Sequence, residues 1–533
     1  MKIPTKFVIA FLLLLTPTCL AQNNRVPLWG RWERTFEADP KTNPDPSIGL
    51  IVRLTSPTGK RHKVSAFWDG GRTWRVRFMP NEAGTWRFRT IAYPDYAGLN
   101  AQRGSFVSRR ANDSNRFLRH GAVRVSKNGS HLEHADGTPF FWLGDTAWNG
   151  ALLSKAEDWD KYLNDRVAKK FTAIQFVTTQ WRTAPTNLEG EVAFTGKEKV
   201  QINPAFFKRM DARIDALNAK GLLAVPVLLW AIRGDENPGW YLPEDQAILL
   251  EKYLVARYGA HHVVWIPAGD TTYREANGEK WRRICRAVFG DEPHAPIVMH
   301  PQGMQSYTEI YQDEKWLDII GYQSGHGDSD AALSWIHSGP IAKEAKQFTT
   351  RPFINLEPPY EDHVAYQTKQ RHTAYNVRRA SYWSLLNAPT AGVTYGAHGV
   401  WSWEVEPKEP LLHKGTGIAK PWFEAMNLPG SQQMKFLHEF FASLRWRELR
   451  PDATLVASQA TAPAQFIAAA KTVRGDAAVL YLPTGGTVTV NANVAKAEWF
   501  DPRLGKWLPA KGEQGIYRAP DQQDWALKLG LKK

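Results

Sequence analysis

Disulfide bonds, transmembrane segments and blocks of like charge are all missing from this sequence. The only cysteines are Cys19 and Cys285, and removal of a signal peptide would leave one of them, so no internal disulfide can form. No apolar run in the remaining chain approaches the roughly 18 residues of a membrane helix, which argues against a membrane span. Without disulfides the protein depends on its hydrophobic core, and a chain of 533 residues can build one.

Residues 1–21 have the pattern of a secretory signal peptide. Two lysines precede the apolar run 7–15, and the small residue Ala21 ends the segment. This run is too short to cross a bilayer. Cleavage after Ala21 predicts a secreted or periplasmic protein, and lipid anchoring at Cys19 is the alternative.

The net charge of the chain is +14, or +12 once Lys2 and Lys6 leave with the signal peptide. The basic residues are spread out, and an exported protein seldom meets nucleic acid, so we expect no nucleic-acid partner. An acidic polysaccharide is the more natural partner for such a surface. A basic surface that is merely solvated fits the composition equally well.

Strand and helix patterns divide the chain after the signal peptide into three parts: 22–115, 116–427 and 428–533. Short alternating strands separated by turn residues predict a β-sandwich in the first and last parts. In the first part, for example, Trp74 and Phe78 alternate with Arg75 and Arg77. We therefore predict a multidomain protein with a central domain between two β-sandwiches.

The central part alternates apolar strands with helix-compatible sequence, which predicts a (β/α)8 TIM barrel. The eight predicted strands are 140–144, 173–177, 222–229, 263–267, 296–299, 317–321, 353–356 and 392–395. An open doubly wound sheet is the structural alternative. No Gly-rich dinucleotide fingerprint follows the first strand, which speaks against it.

Two helix starts are predicted from capping signals. Ser154 and Glu157 have the spacing of a capping box, and Asn203 followed by Pro204 has the pattern of an N-cap and first helical residue. The buried face of the first helix is predicted to carry Trp159, Tyr162, Leu163 and Val167.

Two carboxylates follow strands on opposite sides of the predicted barrel mouth, where TIM barrels carry their chemistry. Asp270 follows the fourth strand and Glu357 the seventh, 87 residues later. Glycoside hydrolysis needs a proton donor and a nucleophile or base on either side of the scissile bond, so we predict that this pair is catalytic. In the alternatives, Asp270 pairs with Arg274, Glu357 bonds to His398, or Glu361 replaces Glu357.

The same strand ends are rich in side chains that stack on sugar rings and bond sugar hydroxyls. The residues predicted to bind substrate are Asp145, Trp148, Gln180, Trp181, Trp230, Tyr322, Gln323, His326, Tyr360, Glu361, His398 and Trp401. Asp145 could instead cap a helix, and Trp401 could pack in the core.

We predict no metal and no cofactor, because the two-carboxylate mechanism needs neither. The spacing of His300, His326 and His398 matches no compact metal motif, and the chain has no Gly-x-Ser-x-Gly elbow of a serine hydrolase. Two alternatives remain open. One is a carbohydrate-binding protein on an inactive barrel, and the other is a polysaccharide lyase with a Tyr, His or Lys base.

Three segments of the central part resemble a known family. Residues 134–148 (HADGTPFFWLGDTAW) resemble the first strand of the apiosidase-like barrel family, glycoside hydrolase family 140. Residues 355–361 (NLEPPYE) and 395–401 (YGAHGVW) resemble its seventh and eighth strands. The resemblance implies a retaining glycoside hydrolase with Asp270 as acid/base and Glu357 as nucleophile.

The resemblance extends to both ends of the chain. Residues 67–71 and 77–86 are similar to a β-sandwich often found before such barrels, and 497–505 resemble a domain labelled collagen-binding, which we interpret as an accessory sandwich. Characterised members act on apiose linkages of rhamnogalacturonan II, so the resemblance implies a plant cell-wall polysaccharide. Gly269 and Asp270 depart from the larger barrel-hydrolase clan, which has Asn-Glu there.

Overall fold

The structure, a computed structural model, describes residues 24–40, 49–290, 293–347 and 350–532. The predicted signal peptide and Cys19 lie outside these residues and stay predictions. Within the described ranges, none of the helices has the length and apolar character needed to cross a membrane.

Eight parallel strands form a nearly closed barrel in the centre of the chain, as the alternating pattern predicted. They are β1 Trp142–Thr146, β2 Ala173–Val177, β3 Leu223–Trp230, β4 Ile266–Thr271, β5 His300–Pro301, β6 Ile320–Gln323, β7 Phe353–Glu357 and β8 Gly392–Tyr395. Their order in the sheet is β5-β4-β3-β2-β1-β8-β7-β6. A parallel bridge between Val298 and Ile319 joins the segments that lead into β5 and β6.

Helices follow the strands and cover the outside of the barrel. They are α1 Ala156–Ala168, α2 Pro204–Ala219, α3 Glu244–Tyr258, α4 Glu275–Phe289, α5 Asp330–Ser338, α6 Pro340–Gln347, α7 Ala374–Leu386 and α8 Pro429–Ala442. Shorter helices span Arg116–His120, Gly150–Leu153, Pro238–Tyr241, Thr308–Tyr311 and Trp422–Ala425. Because helices cover the outside of the barrel and side chains fill its interior, the strands are buried on both faces, and all eight residues of β3 are buried.

The predicted strand positions are close to the observed ones, with differences of one to four residues at several ends. The first predicted strand is in fact two, because Pro139–Phe140 pairs with the strand Leu132–His134 and the barrel strand begins only at Trp142. Strand β5 begins at His300, after the end of its predicted range. Strands β2 and β8 have the predicted bounds.

Both predicted helices are present, but only one of the two predicted caps is confirmed. Helix α2 begins at Pro204, and the Asn203 side chain accepts from the backbone N–H of Ala205. Helix α1 begins after Lys155 without a side-chain cap, and Ser154 Oγ has no hydrogen-bond partner among the described residues.

The N-terminal part is a β-sandwich. Its five-stranded sheet contains Arg25–Pro27, Gly49–Thr55, Arg61–Ser65, Gly84–Tyr93 and Arg103–Arg109, and its three-stranded sheet contains Trp32–Glu37, Phe67–Trp68 and Thr73–Phe78. Trp32 of the smaller sheet packs on Phe88 and Phe106 of the larger one. Arg77 of the smaller sheet is buried and binds Asp211 of α2.

The C-terminal part is a second sandwich of antiparallel sheets. Its six-stranded sheet contains Leu449–Pro451, Ala468–Thr472, Ala477–Leu482, Val494–Asp501, Lys506–Pro509 and Trp525–Leu531, and its three-stranded sheet contains Thr487–Thr489, Gly512–Glu513 and Ile516–Arg518. The predicted boundary after residue 427 lies just before α8, whose buried residues pack in the same apolar cluster as the barrel core. The exact domain boundaries stay predictions.

Candidate active site

Four polar side chains meet at the C-terminal ends of β4 to β7. Gln323 Nε2 donates to Asp270 Oδ1 at 3.0 Å and also to the carbonyl of Pro301. His300 Nε2 lies 3.3 Å from Glu357 Oε2, while the backbone N–H of Asp270 donates to His300 Nδ1 at 3.1 Å. His300 therefore connects the two carboxyl residues that the sequence singled out.

The hydrogen bonds of two histidines determine which of their ring nitrogens carries the proton. His300 Nδ1 accepts from the backbone N–H of Asp270, and His326 Nδ1 accepts from that of Tyr360 at 3.2 Å. A neutral imidazole that accepts at Nδ1 carries its proton on Nε2. Both Nε2 atoms lie at the Glu357 carboxylate, at 3.3 Å from His300 and 3.0 Å from His326. His326 thus bonds to Glu357 on one side, and His300 Nε2 lies close to the carboxylate on the other.

The two carboxyl groups have pKa values shifted in opposite directions. Burial raises the pKa of Glu357, but the contacts from His300 and His326 outweigh burial and lower its pKa overall. Burial, followed by the negative charge of Glu357, raises the pKa of Asp270 to about 6. One carboxyl group is therefore held as an anion while the other retains a proton into mildly acidic solution, which is the division of labour that acid/base and nucleophile roles require.

The backbone at Asp270 is in an uncommon conformation. Its φ is +51°, and the pairing of β4 with β5 shifts register between Gly269 and Thr271. A Cβ added at Gly269 would lie 2.5 Å from the ring of Trp230, so the residue before Asp270 has no room for a side chain. This gives a physical reason for glycine at the position where the larger clan has asparagine. Strained backbone of this kind is often found at functional sites.

Three of the predicted substrate-binding residues contact the carboxyl pair or the histidines beside it. Gln323 and His326 bond to Asp270 and Glu357 as described. Tyr360 supplies a backbone donor to His326, and its hydroxyl accepts from Trp148 Nε1 at 3.1 Å. Burial and the charge of Glu357 raise the pKa of the Tyr360 hydroxyl well above its ordinary value, so it remains a donor.

Three other predicted residues have partners on the outer helices rather than in the mouth. Asp145 is 0% exposed, and its carboxylate is bound by Arg166 and Tyr162 of α1. The ring of Tyr322 packs against Trp335 of α5. Glu361 accepts from the Tyr395 hydroxyl at 2.6 Å and from the backbone N–H of Gly430 at 3.0 Å. The contacts of these three residues are with other parts of the protein, and their role in sugar binding stays a prediction.

Four aromatic residues that were predicted as sugar platforms lie in the wall beneath the mouth. Trp148, Trp181, Trp230 and Trp401 are at most 3% exposed. The rings of Trp181 and Trp230 lie 4.3 Å apart at a tilt of 44°, and Trp148 meets Trp230 edge-on. These tryptophans pack against other rings, and their contact with sugar stays a prediction.

Gln180 and His398 are held by local bonds. Gln180 accepts from the backbone of Ala193 and donates to that of Phe194. The Nδ1 atom of His398 accepts from Trp401 Nε1, and its Nε2 lies 2.8 Å from the carbonyl of Gly417. Both residues bond to loops around the mouth, and their role in substrate binding stays a prediction.

Sequence reasoning missed several residues of the mouth because they lie on loops beyond the strand ends. His363 stacks on His326 at 4.1 Å, and the exposed ring of Tyr366 meets His326 edge-on at 5.7 Å. Arg182 Nη2 lies 3.0 Å from His413 Nδ1, and burial followed by this cation lowers the pKa of His413 to about 3. Of these residues, Arg182 directly follows Trp181, which the sequence predicted to bind substrate.

The histidines do not converge on one point. His300 and His326 face Glu357, whereas His398 faces Gly417. Among the described residues, no group of three or more His, Cys, Asp or Glu side chains could hold a metal ion.

Family models match all three parts of the chain. The model described as "Apiosidase-like, catalytic domain" matches residues 126–448. A "Domain of unknown function (DUF5060)" matches 25–93, and a "Putative collagen-binding domain of a collagenase" matches 450–529. None of the curated proteins compared with this chain matches it.

Several solved structures share the architecture. One described as a glycoside hydrolase is 23% identical with a TM-score of 0.68, covering 78% of this chain and 98% of its own. A family 5 glycoside hydrolase from Bacteroides vulgatus ATCC 8482 is 21% identical with a TM-score of 0.69, covering 79% of this chain and 95% of its own. A "putative glycoside hydrolase" from the same organism is 18% identical with a TM-score of 0.69, covering 95% of this chain and 100% of its own. At these identities the likeness establishes the fold alone. Because the apiosidase-like model itself spans more than half of the 533 residues, the chain belongs to the apiosidase-like family of glycoside hydrolases.

Proposed function

We propose that this enzyme is a retaining glycoside hydrolase of a plant cell-wall or other complex polysaccharide, with Glu357 as nucleophile and Asp270 as acid/base. The observation that carries the proposal is the opposite displacement of the two pKa values, lowered at Glu357 and raised at Asp270. A pair of carboxyl groups with separated pKa values at the catalytic face of a barrel suits this reaction.

In the first step, an oxygen of the ionised Glu357 attacks the anomeric carbon of the sugar. Protonated Asp270 transfers its proton to the glycosidic oxygen as the bond to that oxygen breaks. The leaving sugar departs as an alcohol, and a glycosyl ester of Glu357 remains. His326 and His300 hold the carboxylate in place by their Nε2 edges.

In the second step, Asp270 acts as a base. Esterification removes the negative charge of Glu357, which had helped to raise the pKa of Asp270. The pKa of Asp270 therefore falls in the intermediate, and the carboxylate accepts a proton from water as the water oxygen attacks the anomeric carbon. Glu357 is released as an anion, and its returning charge restores the higher pKa of Asp270.

The substrate class and the location are proposed from the sequence. The net charge of +14 favours an acidic polysaccharide, and family resemblance favours apiose linkages in pectin. The signal-peptide pattern favours a secreted or periplasmic enzyme.

The test is release of sugars from a panel of plant and bacterial polysaccharides that includes rhamnogalacturonan II. Wild type is compared with Glu357→Gln and with Glu361→Gln, which removes a nearby buried carboxylate held by Tyr395 and Gly430. We expect release by wild type and Glu361→Gln and its loss in Glu357→Gln. Equal release by wild type and Glu357→Gln would contradict the role of Glu357. Retention on a glycan without release would instead support a binding protein.

A further inference from the structure

The tryptophans of this chain are nearly all buried. Of the 23 in the sequence, only Trp29, Trp68, Trp240 and Trp507 are not. Trp29 and Trp68 belong to the N-terminal part and Trp507 to the C-terminal sandwich. Trp240 alone among them lies at the catalytic face of the barrel, in the short helix Pro238–Tyr241 that follows β3. Trp240 was not among the residues predicted from the strand ends.

A lysine of α4 bonds to the backbone of the segment that carries Trp240. Lys280 Nζ donates to the carbonyl of Leu242 at 2.8 Å and lies 3.3 Å from that of Gly239. The guanidinium of Arg233 lies 5.9 Å from the centroid of the Trp240 ring, and no other aromatic ring of the described chain packs on it. A flat ring on a fixed backbone with a free surface is pre-organised for stacking.

Trp240 borders a cavity of about 500 Å³. The cavity is also lined by Thr272, Arg274, Glu275 and Gln305, which follow β4 and β5 in the chain. The volume is that of an ordinary small-molecule site. The cavity contains one aromatic face and a polar rim of guanidinium, carboxylate, hydroxyl and amide groups, the combination that holds a sugar ring.

The position of the cavity indicates which of the two catalytic carboxyl groups it adjoins. Thr272 follows Asp270 by two residues, so the cavity begins beside the proton donor rather than beside Glu357. The oxygen that Asp270 protonates belongs to the leaving sugar. We propose that this cavity is a leaving-group subsite, in which Trp240 stacks on the sugar unit released with the protonated oxygen. This inference rests on the proposed function and adds that the enzyme recognises a sugar on both sides of the cleaved bond.

An exposed aromatic residue beside Glu357 provides a comparison for Trp240. Tyr366 is 49% exposed, and its ring meets that of His326, which holds Glu357. Tyr366 therefore lies on the side of the sugar that Glu357 attacks. Removal of Tyr366 should affect every substrate, whereas removal of Trp240 should affect only substrates whose leaving group is a sugar.

The experiment compares two substrates with the same attacked sugar. The first is the polysaccharide that wild type cleaves in the panel. The second is the glycosyl fluoride of the attacked sugar, the one that becomes the new reducing end. Its leaving group is a single fluorine atom, which cannot reach Trp240. We expect Trp240→Ala to lower kcat/KM on the polysaccharide about tenfold, and to change hydrolysis of the fluoride less than about twofold. Trp240→Phe should recover most of the loss, and Tyr366→Ala should lower both rates.

Trp507→Ala serves as the control, because it removes a partly exposed tryptophan far from the catalytic face and should change neither rate. An equal loss on both substrates in Trp240→Ala, or no loss on either, would overturn the subsite. Failure of the proposed function would appear differently, as sugar release that survives Glu357→Gln whatever the residue at position 240.

Discussion

At the scale of single residues, the chemistry depends on two histidines that each use one ring nitrogen for the backbone and present the other to Glu357. The sequence identified Glu357 and Asp270 from their places at strand ends. It could not identify the roles of His300 and His326, because these depend on distances of about 3 Å between loops that are remote in sequence. The pKa separation follows from those contacts.

The pH profile of kcat/KM should fall on the alkaline side as Asp270 loses its proton. Because burial and the charge of Glu357 raise its pKa to about 6, Asp270 is mostly protonated below that pH and ionised above it. The histidine contacts lower the pKa of Glu357, so no acidic limb is expected in the accessible range. Initial rates measured at several pH values check this, and a flat profile through pH 6 would contradict it.

Asp270→Asn should remove this alkaline limb and lower kcat/KM on sugar leaving groups by about 10²–10⁴-fold. A 2,4-dinitrophenyl glycoside needs no proton on its leaving oxygen, so its first step should be largely spared. A burst of dinitrophenol followed by slow turnover would identify the two steps. Equal impairment of both substrates in the first step would assign Asp270 to another role.

His326→Ala should raise the pKa of Glu357, since a donor to the carboxylate is lost. An acidic limb should then enter the pH profile of kcat/KM. His326→Gln retains a donor and should keep that limb out of the measured range. If both variants lose activity without a change in the profile, His326 has only a structural role.

At the scale of strands and helices, hydrophobic periodicity was sufficient to locate the barrel, but not to orient every side chain. The side chain of Asp145 ends among the helices because neighbours on a strand face opposite sides, so its neighbour Thr146 faces Gln175 while Asp145 faces α1. In the same way, α1 buries Arg166 against Asp145 and leaves the predicted Val167 40% exposed. Composition also could not separate buried tryptophans from the partly exposed Trp240.

Helix α3 contains a buried acid that should limit stability at high pH. Glu251 is 0% exposed, neither of its carboxyl oxygens has a hydrogen-bond partner among the described residues, and burial raises its pKa well above the ordinary 4.5. A raised folded-state pKa means that stability decreases as pH rises above the unfolded value, since the unfolded chain ionises first. Glu251→Gln should therefore be more stable than wild type by more than about 1 kcal/mol at pH 8 and nearly equal at pH 4. Urea unfolding at both pH values checks this, and a pH-independent difference would contradict it.

At the scale of the whole molecule, buried ion pairs join each sandwich to the barrel. Arg77 and Asp69 of the N-terminal sandwich bind Asp211 and Arg257 on α2 and α3. On the other side, Arg378 of α7 holds Asp524 by two bonds of 2.6 and 2.9 Å. These pairs are far apart in sequence, so only the separate domains, and not their attachment, could be predicted from it.

Arg378→Met should destabilise the full chain by about 3–5 kcal/mol, because it leaves the buried charge of Asp524 without its partner. The double variant Arg378→Met/Asp524→Leu should recover much of that loss. Arg283→Met, which breaks an exposed pair with Glu244, is the control and should change little. Urea unfolding of the four proteins checks this, and equal effects of the two single variants would contradict it.

The most direct test of the account is to trap the covalent intermediate. The enzyme is incubated with the 2-deoxy-2-fluoro glycosyl fluoride of the sugar whose anomeric carbon Glu357 attacks, and the labelled peptide is identified by mass spectrometry. We predict one sugar per chain, attached to the carboxyl oxygen of Glu357, and no label in Glu357→Gln. A label on Glu361 or on any other residue would contradict the assignment of Glu357 as nucleophile.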